Sequence, residues 1–284
     1  MLTILNSISS LNAENALSST QASLQKTLTQ LSTGLRVNSG SDDAAGLSIA
    51  NGLQANIAAL TQSSQNASDG VGLLQTADGA LSQVVTLLNR AVTLATEASN
   101  GGLSASQATA LDNEYASIQS EINTIGSTTQ YNGTGVFGSS YSVYTSDGTT
   151  TGSNTTSVSV GALSSAGTGG LGLTDDTTTT SNKTAAVLST TAGAQGELAK
   201  ITAAISTVAA LRGSIGATVN QLNASSNVQS TEVTNLQSAV NNIQDADVGQ
   251  TVAAMTQYNV LEQTGMAALS QSNQVQQSVL KLLQ

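Results

Sequence analysis

The periodicity of this chain predicts a mainly α protein, a long helical coiled-coil rod drawn from both chain halves with a small β-hairpin region in the middle. Three observations carry that expectation. Apolar residues recur at alternating three- and four-residue steps toward both ends, as on one face of a helix. The centre turns to Thr, Ser and Gly, with short runs that alternate polar and apolar residues. Proline is absent from all 284 residues, so no ring interrupts a long helix.

Near the start, Leu24, Leu28, Leu31 and Leu35 fall on one helical face. Leu261, Gly265, Ala268, Ser272, Val275, Val279 and Leu282 repeat the same steps at the other end. Each stripe is narrow, and neither helix can bury its apolar side alone. The ends therefore need each other, or further copies of themselves. Leu24, Leu28, Leu31, Leu35, Leu261, Ala268, Val275, Val279 and Leu282 are the candidate polymerisation seam.

From Ser41 the sequence reads Ser-Asp-Asp-Ala-Ala-Gly, which sets hydroxyl and carboxylate groups where a helix start wants them. Ile49, Leu53, Ile57 and Leu60 continue at helical steps, and Leu74, Ala77, Leu81, Val84, Leu88 and Val92 resume them. Between these runs lies Asp69-Gly70-Val71-Gly72, where propensity alone places a break, each Gly costing about 1 kcal/mol relative to Ala. Asn100-Gly101-Gly102 is a stronger stop. A shorter helix with Leu111, Tyr115, Ile118 and Ile122 follows, ending before Gly126.

The runs Tyr141–Tyr144 and Ser157–Val160 read as strands in hairpins separated by Asp147-Gly148 and other turn residues. Asp175 to Lys183 is too polar to pack and reads as a loop. Beyond it, Ile201, Val208, Ile215 and Leu222 stand seven apart with Leu198, Ile205 and Val219 at the partner positions, and Arg212 is the one polar exception. Val233, Leu236, Val240 and Ile243 extend the stripe after a polar patch.

Composition narrows the chemistry. The protein has no His, Cys, Pro or Trp and a single Phe, with 7 basic and 17 acidic residues for a net charge of −10. Lacking His and Cys, it has no imidazole or thiolate metal ligand, thiol nucleophile or ordinary neutral-pH base, and no cofactor is implied. The acidity argues against nucleic acid and against an anionic membrane as partners. No basic residue precedes Lys26 and no continuous apolar core follows Met1, so a cleaved secretory signal peptide is not expected. Asn, Gln and Ser within 44–68 disfavour a membrane span there.

Several separate blocks, in order, resemble one family. Leu31-Ser-Thr-Gly-Leu-Arg-Val-Asn-Ser-Gly-Ser-Asp-Asp-Ala-Ala-Gly46 resembles the N-terminal signature of bacterial flagellins. Ser68-Asp-Gly-Val-Gly-Leu-Leu-Gln-Thr-Ala-Asp-Gly-Ala-Leu81 and Tyr131-Asn-Gly-Thr134 are similar to later blocks of the N-terminal half. Asn241-Asn-Ile-Gln-Asp-Ala-Asp-Val248 and Asn273-Gln-Val-Gln-Gln-Ser-Val-Leu280 are similar to its C-terminal region. The resemblance implies a short form without large outer domains. Residues 1–40 and 244–284 would form the terminal, inner-tube domain, 41–130 and 184–243 the rod helices, and 131–183 a hairpin and loop insert. It also implies one long helix from Ser41 to about Ser99, against the propensity break, and the family's expectation is preferred because packing overrides propensity.

The implied function is a structural, non-enzymatic subunit that self-assembles into the flagellar filament, outside the cell; a hook-filament junction protein is the alternative. A zinc protease of the kind some flagellins carry has no ligands here. The implied partners are other copies, the flagellar export apparatus and its chaperone, and the filament cap and junction proteins. The ends of the free subunit are expected to be largely disordered until neighbours cover them. In some flagellins an animal innate immune receptor recognises the stretch matching Leu88-Asn-Arg-Ala-Val-Thr-Leu-Ala95. The matching residues are Arg90, Leu94 and, on the next helix, Glu114, with Thr93 where a Glu is common.

Local carboxylates have plainer roles. Asp42 and Asp43 are adjacent and so do not face each other on a helix; they read as capping groups. Asp245 and Asp247 lack the ligand spacing of a calcium loop and read as a helix boundary. Arg90 reads first as an ion-pair partner. The hydroxyl-rich tract Thr145–Thr180 reads as a solvated surface, with O-linked glycans as the alternative.

Overall fold

The computed structural model of the protein describes residues 8–148, 155–165, 170–173 and 187–282. The loop expected at Asp175–Lys183 lies outside the described residues, as does part of the hydroxyl-rich tract. Among the described residues, five α-helices dominate: α1 (Ile8–Thr33), α2 (Ala44–Ala98), α3 (Ala105–Thr128), α4 (Thr191–Gln244) and α5 (Val248–Leu282). The four strands between α3 and α4 are β1 (Gln130–Tyr131), β2 (Thr134–Gly135), β3 (Ser140–Tyr144) and β4 (Thr155–Ser159), and a short 3-10 turn, Val187–Ser189, precedes α4. The protein divides into two compact units, residues 58–233 in one, and residues up to 57 with those from 234 onward in the other.

In the first unit the seven-residue ladder of α4 is the core. Ile201, Val208, Ile215 and Leu222 are all buried, against Leu74, Ala77, Leu81, Val84, Leu88 and Leu94 of α2 and Tyr115, Ile118 and Ile122 of α3. Burying each large apolar side chain contributes about 1.5–3 kcal/mol. By length and composition alone α2 and α4 are each long and apolar enough to cross a membrane; one face of each lies in this core. Arg212, the polar exception in the ladder, grips Asp78 of α2 through Nε at 2.7 Å and Nη2 at 3.1 Å. That hydrogen bond holds the Asp78 carboxyl below its usual range.

Helix α2 runs unbroken through Gly70 and Gly72, as the family resemblance implies and the propensity reading does not. Packing explains both glycines. A Cβ on Gly70 would lie 2.9 Å from Val143 Cγ2 and 3.2 Å from Leu222 Cδ1, and one on Gly72 would lie 2.9 Å from the Tyr131 hydroxyl. Helix α3 starts on a capping box, Ser104 and Gln107 bonding each other's backbone N–H. It continues past Gly126, where a stop was expected, because the glycine lets the Leu163 carbonyl against the helix.

The two small sheets follow. β1 and β2 pair across Asn132 and Gly133, both at positive φ (50° and 76°). Asn-Gly is the favoured pair for such a two-residue turn, so the family block Tyr131–Thr134 is also a hairpin signal in its own right. β3 and β4 pair antiparallel with Tyr141 opposite Val158 and Val143 opposite Thr156. Val143 and Val158 are buried while Ser142, Ser157 and Ser159 face out.

Buried polar groups are not legible in the stripe patterns. Glu197 is 1 % exposed on α4 and accepts the Tyr115 hydroxyl at 2.7 Å, with Lys200 at 3.5 Å. Burial, with Glu197 beside it, pushes the Tyr115 phenol far up. Buried Asp112 accepts the Leu188 backbone N–H at 3.1 Å and so holds the 3-10 turn. Gln229 is different: it is 3 % exposed, and neither atom of its amide has a hydrogen-bond partner. An unsatisfied buried amide costs about 1–3 kcal/mol. Gln229→Leu is therefore expected to raise stability by about 1–2 kcal/mol, read as a higher midpoint in thermal unfolding; a lower midpoint would refute the assignment.

Candidate functional site: the paired chain ends

In the second unit, α1 and α5 lie side by side. Leu17 meets Gly265 and Gln21 donates to Glu262 at 3.1 Å. Numbers rise on one helix as they fall on the other, so the pair is antiparallel. The covered face of α1 follows three- and four-residue steps, Ser10, Ala13, Leu17, Thr20, Leu24, Thr27 and Leu31. On α5 it is Thr251, Ala254, Tyr258, Glu262, Gly265, Leu269 and Ser272. Hydroxyls on this seam are satisfied by their own helices: Thr20 and Thr27 donate to the carbonyls of Ala16 and Ser23, and Thr251 to that of Asp247, each within 2.8 Å.

The nine seam residues fall in different places. Leu24 and Leu31 are half-buried on the α1 face, and Leu35 is half-buried just past it. Leu28 is 46 % exposed, Leu261 43 % and Val275 53 %, and Ala268 is exposed as well. Val279 and Leu282 belong to α5, but their side chains lie outside the described residues. Among the described side chains, the predicted α5 stripe is thus the flank beside the covered face and shares Gly265 and Ser272 with it. Val248, Val252 and Met266 are exposed on the other flank, and Ile8 and Leu11 on the far side of α1. Apolar side chains therefore stand exposed on both flanks of α5 and on the far side of α1.

The connections between helices are tied by backbone bonds across the sequence. Leu35 bridges to Asp245; Arg36 N–H donates to the Gln244 carbonyl at 2.6 Å, and Ala246 N–H to that of Gly34 at 2.9 Å. The Arg36 guanidinium donates to the Ile243 carbonyl at 2.8 Å, satisfying a carbonyl at the end of α4. One carboxylate of each acidic pair caps a helix: Asp43 as expected, and Asp247 at the expected helix boundary, whereas Asp42 bonds the loop before α2 instead. Asp43 accepts Gly46 N–H at 2.8 Å to start α2, and Asp247 accepts Gln250 N–H at 3.1 Å to start α5. A side chain at Gly46 would collide with the Asp43 carboxylate.

Asp42 closes the α1–α2 connection. It bonds Lys26 at 2.8 Å and accepts the backbone N–H groups of Asn38 and Ser39 and the Ser39 hydroxyl. The Lys26 ammonium first, then the Asn38 N–H, lower its carboxyl from 3.8 to about 2. A depressed folded-state value means stability present above the unfolded value and lost as pH falls through the folded one. The connection is expected to loosen between about pH 4 and pH 2, seen by NMR as Lys26 and Asn38 shifts titrating together. Asp42→Asn should remove that transition; an unchanged transition would reject the link.

The Arg90 surface belongs to the other unit. Arg90 Nε donates to Glu114 Oε1 at 2.6 Å, and both side chains are exposed. The pair raises the Arg90 pKa and lowers that of Glu114. Leu94 is fully buried in the core beneath them, whereas Thr93 is exposed and bonds the Arg90 carbonyl.

Long helices, an antiparallel pair made from opposite ends of the sequence, and apolar flanks left open on that pair define a structural protein of the self-associating helical class. Comparison with known proteins gives the family. The profile for the bacterial flagellin N-terminal helical region matches residues 4–142, and that for the bacterial flagellin C-terminal helical region matches residues 198–283. The protein is 31 % identical to the flagellin of Bacillus subtilis strain 168, over 98 % of each chain. It is 28 % identical to the flagellar filament 33 kDa core protein of Treponema phagedenis, again over 98 % of each. A crystal structure of Bacillus cereus flagellin is 28 % identical, with a TM-score of 0.47, over 58 % of this chain and 88 % of that one. The protein belongs to the bacterial flagellin family, as a short form without a large outer domain.

Proposed function

We propose that this protein is the structural subunit of a bacterial flagellar filament, without enzymatic activity, and that the open flanks of α1 and α5 are what join one copy to the next. The observation that carries this reading is Leu28, Leu261 and Val275 standing exposed beside a seam that α1 and α5 already close between themselves. Leu24, Leu31, Leu35 and Gly265 hold the pair together within one subunit, while Leu28, Leu261, Ala268 and Val275, continued by Val279 and Leu282, meet neighbouring copies.

The subunit reaches the outside of the cell through the flagellar export apparatus, with a chaperone, and adds beneath the filament cap beyond the junction proteins. Family membership supports that route. In transit the ends are unpaired and disordered, and they fold as neighbours cover them. Limited proteolysis of free monomer tests this: cleavage is expected within the first and last ~40 residues before residues 58–233, and equal resistance throughout would overturn it.

A receptor of animal innate immunity would meet Arg90 and Glu114 as one exposed charge pair, with Leu94 acting from below by fixing α2. A reporter-cell assay on soluble monomer tests that contact, and silence at saturating dose rejects it.

A further inference from the structure

The sequence contains three Asn-Gly pairs, and the fold sets them in three different backbone states. Asn51-Gly52 lies inside α2, where the Gly52 nitrogen belongs to the helical hydrogen-bond ladder. Asn132-Gly133 is the turn of the β1–β2 hairpin, both residues held at positive φ by strand pairing on either side. Asn100-Gly101 comes just after α2 ends at Ala98. Asn100 is exposed, and nothing lies within 4 Å of where a Cβ on Gly101 would be.

We propose that Asn100 is a site of spontaneous deamidation. The Gly101 amide nitrogen attacks the carboxamide carbon of the Asn100 side group. A new bond between that carbon and the backbone nitrogen closes a five-membered succinimide, the bond from the same carbon to the amide NH2 breaks, and ammonia leaves with the proton given up by the attacking nitrogen. Water then opens the ring at either carbonyl, giving aspartate or isoaspartate. The reaction needs only water and no redox partner. It requires a free backbone nitrogen, no side group on the following residue and a backbone able to turn into the ring. Only Asn100-Gly101 meets all three conditions. Gly52 fails the first, and the paired hairpin around Gly133 resists the third.

The product changes the local electrostatics. A carboxylate appears past the C-terminal end of α2, where the helix dipole disfavours negative charge, three residues from Glu97. In the isoaspartate form an extra methylene enters the main chain of the turn that leads to the Ser104 cap. Each aged copy is then more acidic and looser at this connection than a fresh one.

The full-length protein is aged at mildly alkaline pH and digested, and each Asn-Gly peptide is followed by the mass gain of about 1 Da and by labelling with an isoaspartyl methyltransferase. Asn100 is expected to convert at least ~10-fold faster than Asn51 and Asn132, since both of those are held by backbone pairing. Gly101→Ala meets no neighbouring atom and leaves the fold intact, yet its methyl group hinders the attacking nitrogen, so conversion should slow by ~10-fold or more. Asn51 or Asn132 converting as fast as Asn100, or an unchanged rate in Gly101→Ala, would overturn the assignment. So would an Asn100 that stays intact after a synthetic peptide of the same residues has converted.

Discussion

Leu261→Asp combined with Val275→Asp is expected to abolish filament assembly while leaving the monomer folded. Both side chains are about half exposed on one flank of α5, so a carboxylate at either position stays hydrated in the free subunit. In a polymer the same positions would be closed by a neighbour, losing about 0.7–1.5 kcal/mol of apolar burial each and burying an unpaired charge. At about 1.4 kcal/mol per factor of ten, the critical concentration should rise by ~100-fold or more. Sedimentation of polymerisation reactions and electron microscopy read the effect, with circular dichroism as the control for folding. Filaments forming at the unmodified protein's concentration would remove this flank from the assembly surface. A double variant that no longer folds would count against the reading too, since it would place these residues in the monomer's own packing.

Gly126→Ala should destabilise the unit formed by residues 58–233 by about 3 kcal/mol, at the upper end for an overpacked core. The added methyl group would overlap the Leu163 carbonyl oxygen. That carbonyl cannot retreat easily. Leu163 and Ser165 are buried, and Ser165 is held to Asn123 by two hydrogen bonds, its N–H donating to Oδ1 and its hydroxyl accepting from Nδ2, each at 2.8 Å. At about 2–4 °C per kcal/mol for a unit of this size, the thermal midpoint should fall by ~10 °C. Gly79→Ala and Gly196→Ala, in helices with nothing within 4 Å of the new carbon, should move the other way by about 0.5–1 kcal/mol. If all three changes shift the midpoint alike, close approach is not the reason for Gly126.

These glycines mark where the sequence stops being legible. The ladder of Ile201, Val208, Ile215 and Leu222 reads correctly because burial on one helix face is a property of spacing. The cost of Gly70, Gly72 and Gly126 is also local, and propensity sees it. Their benefit is the room they leave for Val143, Tyr131 and the Leu163 carbonyl, which belong to elements distant in sequence. The long form of α2 is reached only through the family resemblance.

The candidate site is half legible for a related reason. Spacing locates a stripe at each end, but a helix with several neighbours has several faces, and an apolar period does not say which neighbour each one meets. The face α5 turns to α1 includes Thr251 and Glu262, which no hydrophobic pattern selects, and meets the predicted stripe at Gly265 and Ser272, its least apolar members. Glu197 escapes notice in the same way, because a buried carboxylate is apparent only once Tyr115 is seen to reach it.

The hydroxyl-lined seam between α1 and α5 has a consequence for how this protein responds to its own abundance. On this seam small and hydroxyl side chains alternate with Leu17, Leu24, Leu31 and Leu269, while Leu28, Leu261 and Val275 stay exposed, so part of the apolar surface of the pair is not buried within one subunit. Whatever binds the folded form alone shifts the folding equilibrium toward it, by an amount that grows with the logarithm of the free concentration. The order of the two ends is then expected to follow mass action: if neighbours supply the missing cover, it rises with the concentration of the subunit itself.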